Sequence, residues 1–295
     1  MLLTEATRPE LMEIDLASTA ELVTLMNAED ATVPAAVAAA APAIASAIDA
    51  IAERMARGGR LVYVGAGTAG RIGMLDAVEC PPTFNSRPGQ VVALLAGGDD
   101  AFRGATEDAE DDVGTGPAQL EQLRIGADDS VVGVAASGRT PYVLAAVEHA
   151  HQRGALTVGL SCNPSSQLSA VVDVPIEVVV GPEFIAGSTR LKAGTAQKLV
   201  LNMISTITMV RLGKTLGNLM IDVQASNEKL RARAVRIIAH VSGTDEEAAA
   251  AALAAARGDT RVAIVALGRG VDCDQARLHL DANGGDLRRA LGRGR

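Results

Sequence analysis

The sequence contains very few aromatic residues. Tryptophan is absent, and Phe, Trp and Tyr together make up 2% of the 295 residues. A ligand site in this chain therefore cannot depend on stacking against tryptophan, and it must work through hydrogen bonds and charge. Aliphatic residues dominate instead, because 48% of the chain is hydrophobic, which is enough to bury a sizeable core.

Cysteine and histidine are also scarce. The three cysteines, Cys80, Cys162 and Cys273, lie far apart, and the four histidines are scattered. An odd number of cysteines without a C-x-x-C pair indicates a reducing compartment, no disulfide framework and no zinc site. We therefore expect a cytoplasmic protein that needs no metal and no other cofactor.

Positive charge is in the minority, since the net charge is -8 at pH 7. General nucleic-acid binding requires a basic face and is not expected. An anionic ligand must be held by local cations or backbone N–H groups, because the overall field repels it. The N-terminus shows no signal-peptide pattern, and the Ala-rich stretch 35–52 is too short and interrupted to span a membrane.

The hydrophobic period changes near residue 60. Residues 10–57 follow the helical period, whereas short apolar runs bounded by glycine then alternate with helical stretches. The predicted strands lie at 61–65, 90–98, 130–138, 155–163 and 171–180, where 90–98 and 130–138 each include the turn after the strand. The helices between them lie near 69–78, 100–112 and 140–153. This alternation predicts an α/β fold, a three-layer αβα sandwich around a five-stranded parallel sheet.

Helical patterns return after the last strand. Long helices are predicted over 189–240 with a turn near Gly217, and a small helical module follows from about residue 243. We therefore expect an N-terminal helical segment at 1–52, the α/β domain at 53–225 and a C-terminal helical region at 226–295.

The turn after the first predicted strand reads G-A-G-T-A-G-R and matches G-x-G-x-x-G. Such a turn presents backbone N–H groups at a helix N-terminus, where phosphate is favoured. Three interpretations stay open for this turn alone. It can bind a sugar phosphate through Gly67, Thr68 and Arg71, bind a dinucleotide with Asp99 or Asp100 on the ribose, or be a purely structural turn.

The turn after the third strand is rich in hydroxyl groups and reads A-S-G-R-T-P. Ser137 and Thr140 can donate to phosphate oxygens, Arg139 adds charge, and Gly138 allows the turn to be tight. A dinucleotide fold has no need of a second phosphate loop here, so this turn favours a sugar phosphate. The alternative is that Ser137 and Thr140 only cap the following helix.

A third polar cluster, G-S-T-R-L-K-A-G-T, precedes and opens the long helix from residue 187. Ser188, Arg190 and Lys192 are candidate substrate or phosphate ligands, because they place hydroxyl groups and positive charge at a helix N-terminus. The alternative is an ordinary helix start with solvated basic residues, which applies above all to Lys198.

Two glutamates are candidate catalytic groups. Glu79 lies in E-C-P-P-T-F, where we expect the two prolines to stop the helix and hold Glu79 in a stiff loop. Glu110 lies in the acidic run 107–112, a pattern that is typical of a solvated helix face. Both residues follow strand ends on the edge where ligands bind in parallel sheets, so the topology allows them to meet.

Nearly the whole chain resembles the N-acetylmuramic acid 6-phosphate etherases, most specifically in E-C-P-P-T-F and R-L-K-A-G-T-A-Q-K. The resemblance implies a sugar-isomerase (SIS) domain, a homodimer, and hydrolytic cleavage of a lactyl ether to N-acetylglucosamine 6-phosphate and D-lactate. Glu79 falls on the family's proton-donor position and Glu110 on its second active-site position. An aldose–ketose isomerase and a non-catalytic sugar-phosphate sensor remain as alternatives.

The chain departs from the family pattern at two positions. Ala69 replaces a serine, which removes one candidate phosphate hydroxyl. Asp108 replaces a glycine, and its charge is expected to raise the pKa of Glu110. The module at 243–295 resembles the small ubiquitin-associated type of helical fold.

Overall fold

The computed structural model describes residues 2–98, 100–104, 107–222 and 228–292. Contacts between residues divide the chain into two compact units. The first unit contains Met1–Val78 and Gly89–Thr208, and the second contains Glu79–Pro88 and Met209–Arg295.

The centre of the first unit is a five-stranded parallel sheet in the order β2-β1-β3-β4-β5. Its strands are β1 (Leu61–Gly65), β2 (Val91–Leu95), β3 (Ser130–Val134), β4 (Leu156–Ser161) and β5 (Val174–Glu177). Every residue of β1, β3 and β4 is buried, as their continuous apolar sequences predict for strands covered on both faces. The predicted fold class is confirmed.

Helices cover both faces of this sheet. Between the strands and after them lie α4 (Gly67–Phe84), α5 (Asp100–Arg103), α6 (Thr115–Gln122), α7 (Pro141–Gln152), α8 (Gln167–Val171) and α9 (Lys192–Arg211). On one face, Val62 and Val64 of β1 pack with α7 and with Leu120 of α6. On the other face, α4 crosses β1 so closely that a side chain at Gly73 would meet Tyr63.

The N-terminal segment consists of helices, as predicted, but it is broken into short pieces. Single 3-10 turns at Leu3–Glu5, Pro9–Leu11 and Ile14–Leu16 precede α1 (Thr19–Asp30), α2 (Val33–Ala39) and α3 (Ala41–Ala56). Ser18 and Glu21 form a reciprocal capping box at the start of α1. Helix α3 buries an apolar stripe and packs against β4 and β5, whereas α1 has no buried residue.

The second unit has its own helical core. It contains α10 (Glu228–Ser242), α11 (Glu246–Ala255), α12 (Thr260–Arg269), α13 (Cys273–Ala282) and α14 (Leu287–Ala290). Buried Ile238, Leu253, Ile264 and Leu280 join these helices in one cluster. The predicted turn near Gly217 is the tip of a two-stranded antiparallel hairpin, β6 (Thr215–Leu216) and β7 (Leu219–Met220), which the sequence did not reveal.

No single helix in the described ranges has the length and apolarity to cross a membrane. Thr19–Ala39 and Ala41–Ala56 together reach those limits, but this pair is bent by 59°.

Two sequence expectations about local structure are wrong. Pro81 and Pro82 do not stop α4, which continues to Phe84, because the proline φ is compatible with a helix and only two late N–H donors are lost. The acidic stretch 100–112 is not one helix. It contains α5 and a separate 3-10 turn at Glu107–Glu110. Gly104 favours a break in the helix, and the Arg71 guanidinium donates hydrogen bonds to two carbonyl oxygens at the end of α5.

Candidate active site

The sheet has a topological switch point between β1 and β3. The chain leaves β1 to form β2 on one side and returns to form β3 on the other, with Gly65 in register with both Leu95 and Val134. Parallel sheets bind ligands in the crevice at the carboxyl ends of the strands at such a point. The turns after β1 and β3, which the sequence predicted as ligand loops, therefore border the same crevice.

Glu110 lies at the glycine-rich turn after β1. Its Oε1 is 3.2 Å from the point that a Cβ on Gly67 would occupy. The sequence offered no spacing that joins these two residues, because 43 positions of chain separate them by number. The structure thus brings an exposed carboxylate to the helix N-terminus at the switch point.

Arg71 connects the same turn to the segment after β2. Its guanidinium donates to the carbonyl oxygens of Ala101 at 2.7 Å and Gly104 at 2.9 Å. Arg71 therefore holds the segment Ala101–Gly104 against α4. Asp99, the first candidate ribose ligand of the dinucleotide interpretation, lies outside the described residues.

The turn after β3 contains two half-buried hydroxyl residues, Ser137 and Thr140. Gly138 has a φ of +65°, and a Cβ there would overlap the side chain of Ser166, so this position requires glycine. Thr140 is the N-cap residue of α7, yet its side chain makes no capping hydrogen bond. Ser137 Oγ accepts only a long bond from the Arg139 N–H, at 3.3 Å. Capping thus does not account for the Thr140 hydroxyl.

The helix N-terminus of the third polar cluster is already occupied. Glu183, which is 1% exposed, accepts hydrogen bonds from the backbone N–H groups of Lys192 at 2.9 Å and Ala193 at 3.0 Å. Sequence reasoning missed this residue. A signal existed in the sequence, because the side chain of Leu191, directly before α9, has no hydrogen-bond acceptor. The first N–H groups of α9 therefore needed an acceptor from elsewhere in the chain.

The Lys192 side chain is also engaged inside the protein. Its Nζ lies 2.9 Å from Glu29, its side chain is 4% exposed, and Glu29 also pairs with Arg8 at 2.6 Å. The hydrogen bond from Arg8 holds the pKa of Glu29 below its ordinary value. The role of Lys192 as a phosphate ligand stays a prediction, and in this structure its ammonium group fastens helix α1.

Ser188 and Arg190 lie in the loop before α9. Ser188 is half-buried and Arg190 is exposed. Gly194, which follows in α9, lies close to the turn after β1, since a Cβ on Gly194 would be 3.4 Å from the Thr68 side chain. The third cluster therefore borders the turn after β1.

Burial changes the titration of two groups beneath this cluster. It raises the pKa of Glu183, although the two N–H donors oppose the shift. It also raises the pKa of Cys162 to about 12, with a further contribution from Glu183. Cys162 therefore stays a thiol near neutral pH and has no thiolate with which to attack a substrate.

A second buried carboxylate, Asp76, holds α4 in place. It accepts hydrogen bonds from Tyr63 at 2.8 Å, Asn202 at 2.7 Å and Ser205 at 3.0 Å. Burial raises its pKa, with the Tyr63 hydroxyl as the main opposing influence. Asp76 links β1, α4 and α9, and its role was not apparent in the sequence.

Glu79 lies on α4 three residues after Asp76, and its side chain is exposed. It belongs to the second unit by contacts, whereas Glu110 belongs to the first. That Glu79 and Glu110 act on one substrate stays a prediction. Among the residues that the structure describes, no group of three or more His, Cys, Asp and Glu side chains could hold a metal ion.

Comparison with known proteins first identifies the class of fold. Residues 43–151 match the N-terminal SIS domain of glucokinase regulatory protein, residues 113–207 match the SIS domain, and residues 217–260 match the C-terminal lid domain of glucokinase regulatory protein. A Bacteroides fragilis structure described as a phosphosugar isomerase involved in capsule formation superimposes with a TM-score of 0.51. The two sequences are 20% identical, and the superposition covers 68% of this chain and 94% of the Bacteroides fragilis chain. The first unit is a sugar-isomerase domain.

The particular family follows from closer relatives. An N-acetylmuramic acid 6-phosphate etherase of Streptomyces avermitilis is 62% identical over 98% of this chain and 93% of its own length. The Rubrobacter xylanophilus protein of the same name is 61% identical and covers 100% of this chain and 97% of its own. One from Escherichia coli is 50% identical, over 98% of this chain and 97% of its own. This chain belongs to the N-acetylmuramic acid 6-phosphate etherase family.

Proposed function

We propose that this chain cleaves the D-lactyl ether of N-acetylmuramic acid 6-phosphate with water, giving N-acetylglucosamine 6-phosphate and D-lactate. The observation that carries the proposal is the Glu110 carboxylate at the Gly67 turn, beside the switch point of a sugar-isomerase sheet. A carboxylate beside a phosphate-binding turn suits proton abstraction from a sugar whose phosphate fixes its orientation. Such a reaction serves the recycling of cell-wall amino sugars.

The chemistry is an elimination followed by a hydration. In the ring-opened sugar the C2–H is α to an aldehyde and is therefore acidic. Glu110 takes the C2 proton, the bond between C3 and the ether oxygen breaks, and Glu79 protonates the departing lactate oxygen. Water then adds its hydroxyl group to C3 and a proton returns to C2. The two glutamates need opposite protonation states at the start, which their different surroundings must set.

The phosphate is assigned to the first two turns. Gly67 and Thr68 supply the helix N-terminus of α4, and Ser137, Gly138 and Thr140 supply N–H and hydroxyl groups at α7. Arg139, which is exposed, adds positive charge at the rim. Ser188 and Arg190 are assigned to the uncharged part of the sugar. Arg71 and Lys192 stay predicted substrate or phosphate ligands, and both also fix segments around the site.

Isotope labelling tests the mechanism and each glutamate separately. Turnover in heavy water is expected to place deuterium at C2, and turnover in oxygen-18 water to label the sugar and not the lactate. Glu110→Gln is expected to abolish both lactate release and C2 exchange, whereas Glu79→Gln impairs release more than exchange. Each loss should be about 10²–10⁴-fold, and label in the lactate would contradict elimination.

The D-lactate assay also separates the alternatives. An aldose–ketose isomerase would exchange the C2 proton without releasing lactate, and a sensor would bind the sugar phosphate and do neither. We expect lactate release to persist after dialysis against EDTA and without nicotinamide. Loss of activity that a divalent ion restores would contradict the metal-free assignment.

We further propose that the protein is a cytoplasmic homodimer. Leu75 and Val78 on α4 and Met203 and Ile207 on α9 are large apolar side chains that remain exposed in the first unit. A second copy would remove this surface from water. Light scattering at micromolar concentration is expected to give twice the chain mass and to give the chain mass for Ile207→Glu. Wild-type protein with the mass of a single chain would contradict the dimer, and cell fractionation tests the compartment.

A further inference from the structure

The first residues of the chain are fixed to the sheet by a buried hydrogen-bond pair. Thr4 is 0% exposed and Asn163 is 2% exposed. Asn163 Oδ1 accepts from the Leu3 N–H at 2.7 Å, and its Nδ2 donates to Thr4 Oγ1 at 3.0 Å. A chain terminus is usually poorly ordered unless it is tied down in this way. The segment Leu3–Glu5 is therefore a built part of the first unit.

This segment joins two of the ligand loops. Asn163 Nδ2 also donates to the carbonyl of Ala136, directly before Ser137, at 2.9 Å. The Gly187 N–H, directly before Ser188, donates to the carbonyl of Thr4 at 3.1 Å. Leu3–Glu5 thus lies between the turn after β3 and the loop before α9, at the carboxyl edge of the sheet.

The next residue, Glu5, is exposed and directed at that loop. Its Oε2 lies 2.8 Å from the point that a Cβ on Gly187 would occupy. Gly187 has a φ of +79°, a backbone conformation that favours glycine, and the absence of a side chain there leaves room for the Glu5 carboxylate. A carboxylate therefore stands beside Ser188, while the buried anchor at Thr4 fixes its backbone.

Charge determines which part of a substrate can lie here. Glu183 already occupies the N–H groups at the start of α9, and Glu5 adds a second carboxylate near the same loop. A phosphate dianion would be repelled from this position. Hydroxyl and amide N–H groups would instead be attracted, because a carboxylate only accepts hydrogen bonds when it is ionised. Sugar hydroxyls and an acetamide group supply such donors.

We propose that Glu5 is a substrate-binding carboxylate that accepts a hydrogen bond from a hydroxyl or amide N–H of the amino sugar, and that Thr4 and Asn163 position it. The proposal rests on the function proposed above. It assigns the uncharged half of the substrate to the loop before α9 and leaves the phosphate at the turns after β1 and β3.

Steady-state kinetics of Glu5→Ala tests the proposal. Loss of a hydrogen bond to a charged group is expected to raise KM for N-acetylmuramic acid 6-phosphate about 10- to 100-fold, with kcat changed by less than about threefold. Glu5→Gln, which keeps an acceptor but not the charge, should lie between this variant and wild type. Inhibition by inorganic phosphate should be unchanged or stronger in both variants.

Positioning is tested with Thr4. Thr4→Ala should reproduce the rise in KM, and Thr4→Ser, which keeps the hydroxyl group, should restore the wild-type value. Glu10→Ala is the matched control on the same N-terminal segment, because Glu10 is exposed and its carboxylate pairs with Arg8 at 2.8 Å. The Glu10→Ala variant should leave KM unchanged.

Direct binding separates this proposal from the proposed function. If wild-type protein releases no lactate, the function fails, and calorimetry with N-acetylglucosamine 6-phosphate still tests Glu5. A folded Glu5→Ala protein that binds this sugar phosphate as tightly as wild type would overturn the proposal. A parallel loss of inhibition by inorganic phosphate would also overturn it, since the effect would then lie at the phosphate turns.

Discussion

The turn after β3 and the loop before α9 contain the same types of residue but differ in what their polar groups contact. Both combine glycine, hydroxyl and arginine residues before a helix. At the turn after β3, the Thr140 side chain makes no capping bond to its own helix. At the loop before α9, Glu183 holds the helix N–H groups and Glu29 holds Lys192. The same residue types therefore differ in their contacts: the Thr140 side chain does not cap its helix, whereas the N–H groups of α9 and the Lys192 ammonium group are bound within the protein.

The largest expected effect comes from removing the buried cation of the loop before α9. Lys192→Met leaves Glu29 with Arg8 alone, and we expect the free energy of unfolding to fall by about 3 kcal/mol. The kcat of the folded protein should remain near wild type. Urea denaturation and the lactate assay measure the two quantities, with Lys198→Met, an exposed lysine of the same helix, as the control. A stable variant with a greatly raised KM would show instead that Lys192 binds the substrate.

The opposite pattern is expected at the turn after β3. Ser137→Ala should lower kcat/KM, because a phosphate oxygen loses its hydrogen-bond donor. The expected loss of transition-state stabilisation is about 1–3 kcal/mol. Its melting temperature should stay within a few degrees of wild type. Unphosphorylated N-acetylmuramic acid, the matched control substrate, should be turned over poorly by both proteins. Equal turnover of the two substrates by wild type would remove the distinction between the two loops.

A smaller effect is expected for Glu183→Gln. The amide keeps one acceptor for the N–H groups of α9 but also relieves the burial of a charge, so we expect a loss of about 1 kcal/mol in unfolding free energy. Thermal denaturation measures the change. Glu177→Gln, a half-buried carboxylate at the end of β5, is a comparison variant. A gain in stability for Glu183→Gln would show that burial of the charge outweighs capping.

The smallest effect is a pH dependence of the Lys192 contribution. Arg8 and Lys192 lower the pKa of Glu29 in the folded protein, relative to about 4.5 without such partners. The ion pair therefore contributes fully above that value, and its contribution disappears as pH falls through the lowered pKa. The difference in unfolding free energy between wild type and Lys192→Met should narrow when the pH is lowered from 6 to about 3. A constant difference over this range would exclude Glu29 as the partner that matters.

The sequence by itself determined the sheet and its ligand edge. Apolar runs such as 61–65 and 130–138 are long enough for a strand, too short for a helix, and end in glycine, so they predicted buried parallel strands. The turns that follow them had to lie at the same edge of the sheet, because parallel strands all have their carboxyl ends at one edge. The family resemblance added the two glutamates, which no periodicity distinguishes from solvated residues.

Only the tertiary structure decided which polar groups remain available to a ligand. Glu183 and Glu29 contact Lys192 from 9 and 163 positions away in sequence. Glu5 approaches Gly187 from 182 positions away. A hydrogen bond or ion pair acts over a few ångströms and carries no signature in the spacing of residues along the chain. Local sequence therefore determines which hydrogen-bond donors lie at each turn. Long-range packing determines whether those donors already have an acceptor within the protein.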